Sequence, residues 1–194
     1  VEPGEIHALI GENGAGKSTL MNVLSGTYPA GSYSGEIYYE GKLCQFKNQK
    51  DSEAVGIVII HQELALIPYM SIGENMYLGN EKGKKMAINW DQTYDEADRY
   101  LKTVGLNQSS PTLIKDIGVG KQQLVEIAKA LAVDCKVLIM DEPTTSLTHE
   151  ESEQLFEIIG TLKARGITTI YISHRLDEIF RICDRAIVMR DGKL

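Results

Sequence analysis

The sequence predicts an α/β fold with a mainly parallel central sheet, and three observations support this prediction. Apolar segments of strand length alternate with helical segments along the chain, for example at 56–60, 137–140 and 168–172. Several of these segments are apolar on both faces, as expected for strands in a sheet that helices cover on both sides. Polar residues follow three of the strands directly, and ligands of such sheets bind at the carboxyl ends of strands.

Length, composition and charge are those of a folded domain, and the charge argues against one class of function. The 194 residues suffice for one domain with a core, and 43% hydrophobic and 24% charged residues are ordinary values. The formal net charge of −7 argues against a nucleic-acid surface as the main function. Cys44, Cys135 and Cys183 lie far apart without metal-ligand spacing, which predicts buried free thiols in a reducing compartment.

The chain shows no targeting or membrane-spanning segment. No apolar run approaches the roughly 20 residues of a transmembrane helix, and no signal peptide is recognisable. Val1 stands only a few residues before a predicted core strand, and residues 190–194 resemble a strand running into a turn. We therefore expect a piece of a longer polypeptide, truncated at both ends.

A glycine-rich loop in the first third of the chain predicts a phosphate-binding site. It follows a predicted strand at 5–10, precedes a helix that runs to about residue 26, and fits the pattern G-x-x-x-x-G-K-[ST]. Its glycines let the backbone wrap around an anion, and the following helix directs its positive end at that anion. Lys17 is expected to reach the β- and γ-phosphates and Ser18 to bind Mg²⁺; the alternative is a glycine-rich turn without a ligand. The loop consists of Gly11, Glu12, Asn13, Gly14, Ala15, Gly16, Lys17, Ser18 and Thr19.

The residues between this loop and position 132 divide into two parts. Segments 35–39 and 42–46 predict an antiparallel hairpin, and a short helix at 51–55 leads to a strand at 56–60, expected in the middle of the sheet. From residue 61 to about 132 we predict helices without a strand. Their starting points are Ser71, with the capping-box spacing to Glu74, Asp91 as a cap, and the region of Gly120.

The last third returns to the strand–helix alternation. It predicts strands at 137–140, 168–172 and 186–189 and helices from Thr148 to about 164 and at 176–182. Thr148 and Glu151 have the capping-box spacing. We therefore predict one domain with a core of about 1–62 and 133–194 and a helical subdomain of about 63–132.

Four polar residues at predicted strand ends are candidates for chemistry on a phosphate. Asp141 is placed to hold Mg²⁺, and Glu142 to orient or deprotonate a water that attacks the γ-phosphate. The alternative for this pair is a loop or helix cap. Gln62 is a candidate to contact Mg²⁺ or the attacking water, and His174 to hydrogen-bond the γ-phosphate. These two depend on their context, because a lone histidine is usually structural. Three lysines indicate a solvated loop rather than an anion site, namely Lys82, Lys84 and Lys85.

Taken in order, these segments resemble the ATP-binding domain of ABC transporters over essentially the whole chain. The order is residues 11–19, Gln62, residues 118–123, residues 141–144 and His174. The chain is more similar still to the first half of the tandem ATPase subunits of monosaccharide importers, of the xylose and multiple-sugar type. The segments that carry this closer match are 28–33, 60–66, 125–131 and 171–174.

The resemblance implies the P-loop NTPase fold of an ABC ATPase, with ATP and Mg²⁺ as cofactors and ATP hydrolysis that powers monosaccharide import. It implies two ATP sites, each between one domain's phosphate loop and the other domain's signature. Here the signature for the opposite site is Gly118, Val119, Gly120, Lys121 and Gln122.

The implied partners are a second ABC ATPase domain of the same full-length chain, transmembrane permease subunits and, indirectly, an extracytoplasmic sugar-binding protein, but no nucleic acid. The implied location is peripheral, on the cytoplasmic face of the inner membrane. The apolar segment 66–70 is a candidate surface for the permease, with ordinary subdomain packing as the alternative. Two other functions stay open: a soluble ABC ATPase acting on ribosomes or nucleic acid, and a nucleotide-gated module that does not hydrolyse.

The sequence departs from the family pattern in two places, the signature and residue 148. The signature Leu-Ser-Gly-Gly-Gln reads Ile-Gly-Val-Gly-Lys at 117–121, so the serine hydroxyl that would contact the γ-phosphate is absent. Thr148 stands where the family usually has an acidic residue, which predicts different communication between the two sites. The aromatic residue that usually stacks on adenine would precede Val1.

Overall fold

The computed structural model describes residues 1–84 and 87–193. The strands are β1 (Ile6–Ile10), β2 (Ile37–Tyr39), β3 (Lys42–Cys44), β4 (Ile57–Ile60), β5 (Gly83–Lys84), β6 (Ala87–Ile88), β7 (Val137–Asp141), β8 (Thr168–Ile172) and β9 (Arg185–Val188). The helices are α1 (Lys17–Leu24), α2 (Gln49–Ala54), α3 (Ile72–Tyr77), α4 (Trp90–Thr103), α5 (Val119–Ala132), α6 (His149–Ala164) and α7 (Leu176–Ile182). These elements belong to two compact units.

The first unit contains residues 1–59, residues 135–142 and the chain from Gly160 onward. Its main sheet has the order β4-β7-β8-β1-β9, and the pairs β7–β8, β8–β1 and β1–β9 are parallel. The predicted parallel α/β sheet is therefore confirmed. Its central strands are almost fully buried, as their apolar sequences require.

One predicted position in this sheet is wrong, because β4 lies at the edge formed by the described strands and not in the middle. Its apolar residues are buried or partly buried, and they pack in a hydrophobic cluster instead of between two neighbouring strands. Ile57 belongs to that cluster together with Leu9, Met21 and Ile139. An apolar run on both faces therefore indicates burial, but it does not determine how many strand neighbours there are.

A separate antiparallel hairpin, β2–β3, also belongs to the first unit and confirms the prediction. Its two-residue turn consists of Glu40 and Gly41, both with positive φ (50° and 73°). A tight hairpin turn with the matching twist needs this backbone conformation.

The second unit contains residues 60–134 and 143–159. Helices α3, α4 and α5 pack against one another. The predicted capping box of α3 is present: Ser71 Oγ accepts from the Glu74 amide at 3.2 Å, and Glu74 Oε2 accepts from the Ser71 amide at 2.7 Å. The same reciprocal pair forms between Thr148 and Glu151 at the start of α6, as predicted.

Two predictions for this unit are wrong. The cap of α4 is Asn89, whose Oδ1 accepts from the Gln92 amide at 3.0 Å, and Asp91 lies inside the first turn. The segment predicted to lack strands contains the short hairpin β5–β6. Two-residue strands carry too little periodicity to be recognised in a sequence.

The charged segment at this hairpin is only partly described. Lys82 forms an ion pair with Glu96 at 3.0 Å, and its amine lies 5.3 Å from the centre of the Tyr77 ring. The Lys84 side chain and Lys85 lie outside the described residues.

The cysteines differ from the prediction of three buried thiols. Cys135 is buried, but Cys44 and Cys183 are partly exposed. Of the helices in the described ranges, none combines the length and the apolar character needed to cross a membrane.

Candidate active site

The glycine-rich loop lies between the buried strand β1 and the first turn of α1. Helix α1 begins at Lys17, and Gly16, its N-cap, has φ of 102° and offers no side chain to cap the helix. The first amides of a helix have no partners within the helix. At α1 they are therefore left for an external acceptor, an arrangement that suits an anion.

The loop is braced by the chain that follows β9. The Met189 amide donates to Ile10 O at 2.7 Å, and the Gly192 amide donates to Ala15 O at 3.0 Å. A Cβ at Gly11 would lie 2.5 Å from Met189 O, so only glycine fits there. Sequence reasoning missed the contribution of residues 189–192, because nothing in a turn after the last strand signals that it contacts a loop more than 170 residues earlier.

Lys17 spans this loop from within. Its amine donates to Gly11 O at 2.6 Å and to Glu12 O at 3.1 Å, and the residue is 7% exposed. The two carbonyls hold the positive charge against the loop backbone. The loop backbone thus orients the lysine side chain.

An open cleft of about 520 Å³ lies beside the loop, within the first unit. It is lined by loop residues 10–15, by His174 and Leu176 and by residues 188–191. The sequence placed the loop and His174 at strand ends of the same edge, and the structure brings both to one cleft.

Glu142 contacts His174, which lines this cleft. His174 Nδ1 lies 3.0 Å from Glu142 Oε1, within hydrogen-bond distance. The parallel pairing of β7 with β8 sets Asp141 opposite Ile172, and the Glu142 amide donates to Ile172 O at 3.0 Å. The Glu142 side chain is only 14% exposed, whereas that of His174 is 59% exposed.

The backbone at Glu142 is unusual. Its φ of 46° lies in the left-handed region, which residues with a Cβ seldom adopt. This conformation occurs directly after β7, where the chain leaves the sheet. Such outliers cluster at functional sites.

Two residues predicted to bind the metal, Asp141 and Ser18, lie at the end of β7 and in the first turn of α1. Asp141 is the last residue of β7 and is half-buried. Ser18 and Thr19 are exposed in the first turn of α1. No group of three or more histidine, cysteine or acidic side chains that could hold a metal occurs in the described part of the chain.

Gln62 and the signature residues belong to the second unit. Gln62 is exposed, two residues beyond the end of β4. Gly118 is the N-cap of α5 and makes no side-chain cap bond, and Val119 and Lys121 are exposed. Gln122 has a structural role, since its Nε2 donates to Ile117 O at 3.0 Å and to Ile114 O at 3.3 Å.

Gly120 is buried against the first turn of α6. A Cβ at this position would lie 2.3 Å from Glu151 Oε1 and 2.8 Å from Glu151 Cγ. The carboxylate of the α6 capping box thus fills the space beside the signature glycine. No motif in the sequence signals this contact, because the two residues are 31 positions apart.

The parallel sheet and the braced glycine-rich loop with its internal lysine define a domain of the P-loop NTPase class. A profile of the ABC transporter family matches residues 1–145. The chain belongs to the ABC transporter family.

Individual relatives and structures agree with this membership. The chain is 59% identical over its whole length to the L-arabinose transport ATP-binding protein of Geobacillus stearothermophilus and 53% identical to the xylose import ATP-binding protein of Thermoanaerobacter pseudethanolicus. Over 98% of its length it is 50% identical to the ribose import ATP-binding protein of Clostridium tetani. It spans 38% of the length of each of these relatives. A crystal structure of a nucleotide-free ATP-binding cassette from an ABC transporter matches 99% of this chain and 79% of its own, with a TM-score of 0.86 and 30% identity.

Proposed function

We propose that this chain is the ATP-binding and ATP-hydrolysing domain of a subunit that powers monosaccharide import through an ABC transporter. The observation that carries the hydrolytic part is the pair of Glu142 and His174 at the cleft of the phosphate loop. A loop that only binds a nucleotide needs no carboxylate of this kind beside it.

The loop fits the triphosphate of ATP. The amine of Lys17 and the free amides at the start of α1 supply positive charge and hydrogen-bond donors to one anion. In this proposal the remaining loop residues, including Glu12, Asn13 and Thr19, shape the cradle by their backbone. Binding requires little rearrangement, because Lys17 is already held at the loop.

The residues also fit Mg²⁺ as part of a nucleotide complex. Mg²⁺ keeps several waters and takes one or two protein oxygens together with phosphate oxygens. Ser18 and Asp141 would supply the protein oxygens, with Gln62 as a further candidate. Bound there, the ion would neutralise charge on the phosphates.

Glu142 and His174 would act on the attacking water and the terminal phosphate. The carboxylate of Glu142 is largely shielded from solvent and is held by the histidine, so it can orient or deprotonate a water. His174 is more exposed and would use its other ring nitrogen for the γ-phosphate. In this mechanism Glu142 would be the general base, and His174 would orient its carboxylate.

The sugar-import part is supported by the relatives. Those that cover the whole chain are named for transport of L-arabinose and xylose, and a further one for ribose. By this likeness the partners are a second ABC ATPase domain in the same full-length chain, permease subunits and an extracytoplasmic sugar-binding protein. The location would be the cytoplasmic face of the inner membrane, and Gly118 to Gln122 would serve the opposite ATP site.

A docking surface for the permease is proposed at residues 66–70. Tyr69 is 78% exposed, Ile67 is also exposed, and the amine of Lys115 lies 5.0 Å from the centre of the Tyr69 ring. An exposed aromatic ring beside an apolar residue suits a protein partner. Tyr69→Asp should prevent assembly with the permease, whereas Tyr28→Asp, a matched change of another exposed tyrosine, should not. Normal assembly of the Tyr69 variant would refute this surface.

The central experiment measures ATP hydrolysis by the full-length subunit assembled with its permease in membranes. Stimulation by one sugar-loaded binding protein would support the import function and identify the sugar. Glu142→Gln should lower the rate about a hundredfold or more, the contribution of a general base, while Glu150→Gln, the same change at an exposed helix position, should not. A rate unaffected by Glu142→Gln would refute the assignment of the base, and a rate indifferent to every partner would refute coupled import.

A further inference from the structure

Helix α7 carries a buried carboxylate to which the mechanism above gives no role. Glu178 lies in the first turn of α7 and is 3% exposed. A glutamate is seldom buried to this degree unless it is paired, because an ionised carboxylate loses its hydration. Its position therefore requires specific partners, and three nearby residues supply them.

The three partners come from the end of β8 and from the linker that leads into α7. The hydroxyl of Tyr171, in β8, donates to Glu178 Oε2 at 2.7 Å, and Ser173 Oγ donates to the same oxygen at 3.3 Å. Arg175 forms an ion pair with the other carboxylate oxygen, Oε1, at 2.8 Å. Tyr171 and Ser173 are themselves buried. Both oxygens of the carboxylate are thus bonded, and the partners occupy every second position from 171 to 175.

His174 lies between two of these partners. The linker 173–175 joins β8 to α7 and contains neither helix nor strand. Ser173 Oγ also accepts from the Arg175 amide at 3.0 Å, so one hydroxyl connects the carboxylate to the backbone beyond His174. A segment without regular structure samples many conformations unless other groups fix it. Here both sequence neighbours of His174 are bonded to Glu178.

Helix packing alone does not explain why this position is a glutamate. Dehydration of a buried ion pair is costly, and apolar residues of similar size often stabilise a fold equally well or better. A network of directed hydrogen bonds, by contrast, fixes the relative positions of the groups that it joins. The segment fixed here is the linker of His174, whose Nδ1 lies 3.0 Å from Glu142 Oε1.

We propose that Glu178 is a positioning residue for His174. It holds Ser173 and Arg175 and thereby sets the direction in which the imidazole reaches Glu142 and the terminal phosphate. All of these residues belong to the first unit. The consequence for hydrolysis rests on the proposed function, since it assumes the role given above to His174.

The test compares two variants of the full-length subunit assembled with its permease. Glu178→Leu removes the carboxylate and keeps a side chain of similar size, whereas Glu178→Gln keeps an acceptor oxygen for Tyr171 and Ser173 without the charge. Asp177→Asn is the matched control, because this exposed carboxylate of the same helical turn lies 3.5 Å from the Arg175 guanidinium. Hydrogen exchange of the Arg175 amide and the steady-state kinetics of ATP hydrolysis are measured for each.

We expect the Arg175 amide to exchange about tenfold faster or more in Glu178→Leu, the effect of one lost hydrogen bond to a charged group. The maximal rate of hydrolysis should fall about tenfold or more, because a small displacement of a group at the reaction centre has an effect of this size. The KM for ATP should stay within about twofold, since Lys17 keeps its bonds to the phosphate loop. Glu178→Gln should restore slow exchange and most of the rate, and Asp177→Asn should behave as the wild type.

A second comparison separates the positioning of His174 from general destabilisation. In a His174→Ala background the imidazole is absent, so Glu178→Leu should lower the remaining rate by less than about twofold. Labelled ATP is used to follow this slow turnover. A general structural effect of Glu178→Leu would lower the rate by the same factor in both backgrounds.

Each other outcome overturns a defined statement. Unchanged exchange of the Arg175 amide in Glu178→Leu would show that the carboxylate does not hold the linker. Faster exchange with an unchanged maximal rate, or an equal loss of rate in both backgrounds, would show that Glu178 does not position His174 for hydrolysis. An unchanged rate in His174→Ala alone would refute the role of His174 in the proposed function instead, and the exchange of the Arg175 amide would still decide whether Glu178 holds the linker.

Discussion

Replacing Gly120 with alanine tests how closely the signature turn packs on α6. A new Cβ 2.3 Å from Glu151 Oε1 cannot be accommodated, so the Glu151 side chain must move. Its carboxylate accepts from the Thr148 amide at 2.9 Å, and moving it breaks that half of the capping box. The loss costs about 1 kcal/mol of helix stability. Alanine is the better helix former by up to about 1 kcal/mol, which offsets the loss.

We therefore expect the free energy of unfolding to change little for Gly120→Ala alone. In a Glu151→Ala background the clash is absent, and the same substitution should raise the free energy of unfolding by about 1 kcal/mol. The difference between the two effects is the coupling energy of the pair, about 1 kcal/mol. A Gly118→Ala control, in the same unit and at a position where a Cβ meets nothing within 4 Å, should have the same effect in both backgrounds.

The assay is urea unfolding followed by tryptophan fluorescence. Trp90 is the single tryptophan of the sequence and lies in the first turn of α4, in the same unit as Gly120 and Glu151. Its signal therefore reports the unit in which both substitutions lie. Equal effects of Gly120→Ala in the two backgrounds would refute the packing of Glu151 against the signature turn.

Three further predictions concern single residues. Lys17→Ala should weaken ATP binding at least about tenfold in a titration with a fluorescent nucleotide, because it removes the lysine charge that is proposed to contact the phosphates. Undiminished affinity would refute the loop assignment. Burial and the nearby carboxylates of Asp184 and Glu178 raise the pKa of Cys183 to about 12. Alkylation of this thiol at pH 8 should therefore be about a thousandfold slower than for an ordinary thiol. Mass spectrometry with Cys44 as comparator measures the rate, and fast alkylation of Cys183 would contradict the prediction. The Lys163 amine and the Ile6 amide hold the pKa of Asp184 below its ordinary value of 3.8, so Asp184→Asn should destabilise by at most about 1 kcal/mol at pH 7. That difference should vanish in urea unfolding as the pH falls through the lowered pKa, and its persistence at lower pH would contradict the assignment.

Local signals in the sequence were sufficient for many elements of this fold. The strand Thr168–Ile172 and the helix Leu176–Ile182 were predicted to the residue. The strand consists only of β-branched and aromatic residues and is followed by Ser173. The preceding Gly166 has a φ of 83° and follows the end of α6. Where a boundary residue has such a physical requirement, the sequence reveals it.

Other features depend on residues that are distant in the chain. β4 pairs with β7 on one side and lies at the edge of the described sheet, and no property of residues 57–60 specifies this position. Asn89 and not Asp91 caps α4, and because both residue types can cap a helix, residue type alone does not distinguish them.

The candidate site shows the same division. The loop, Glu142 and His174 could be named from short patterns at strand ends. The brace from Met189 and the contact of Gly120 with Glu151 could not. Each of these joins segments far apart in sequence whose residue types are common elsewhere in the chain.

The left-handed backbone at Glu142 has a consequence for protein engineering. A residue with a Cβ in this conformation costs on the order of 1 kcal/mol, which glycine would recover. A library screened for heat resistance alone would therefore enrich glycine at this position and discard the carboxylate that faces His174. Thermostable variants of this domain should be selected with the hydrolytic readout in place, because Glu142 is the proposed general base.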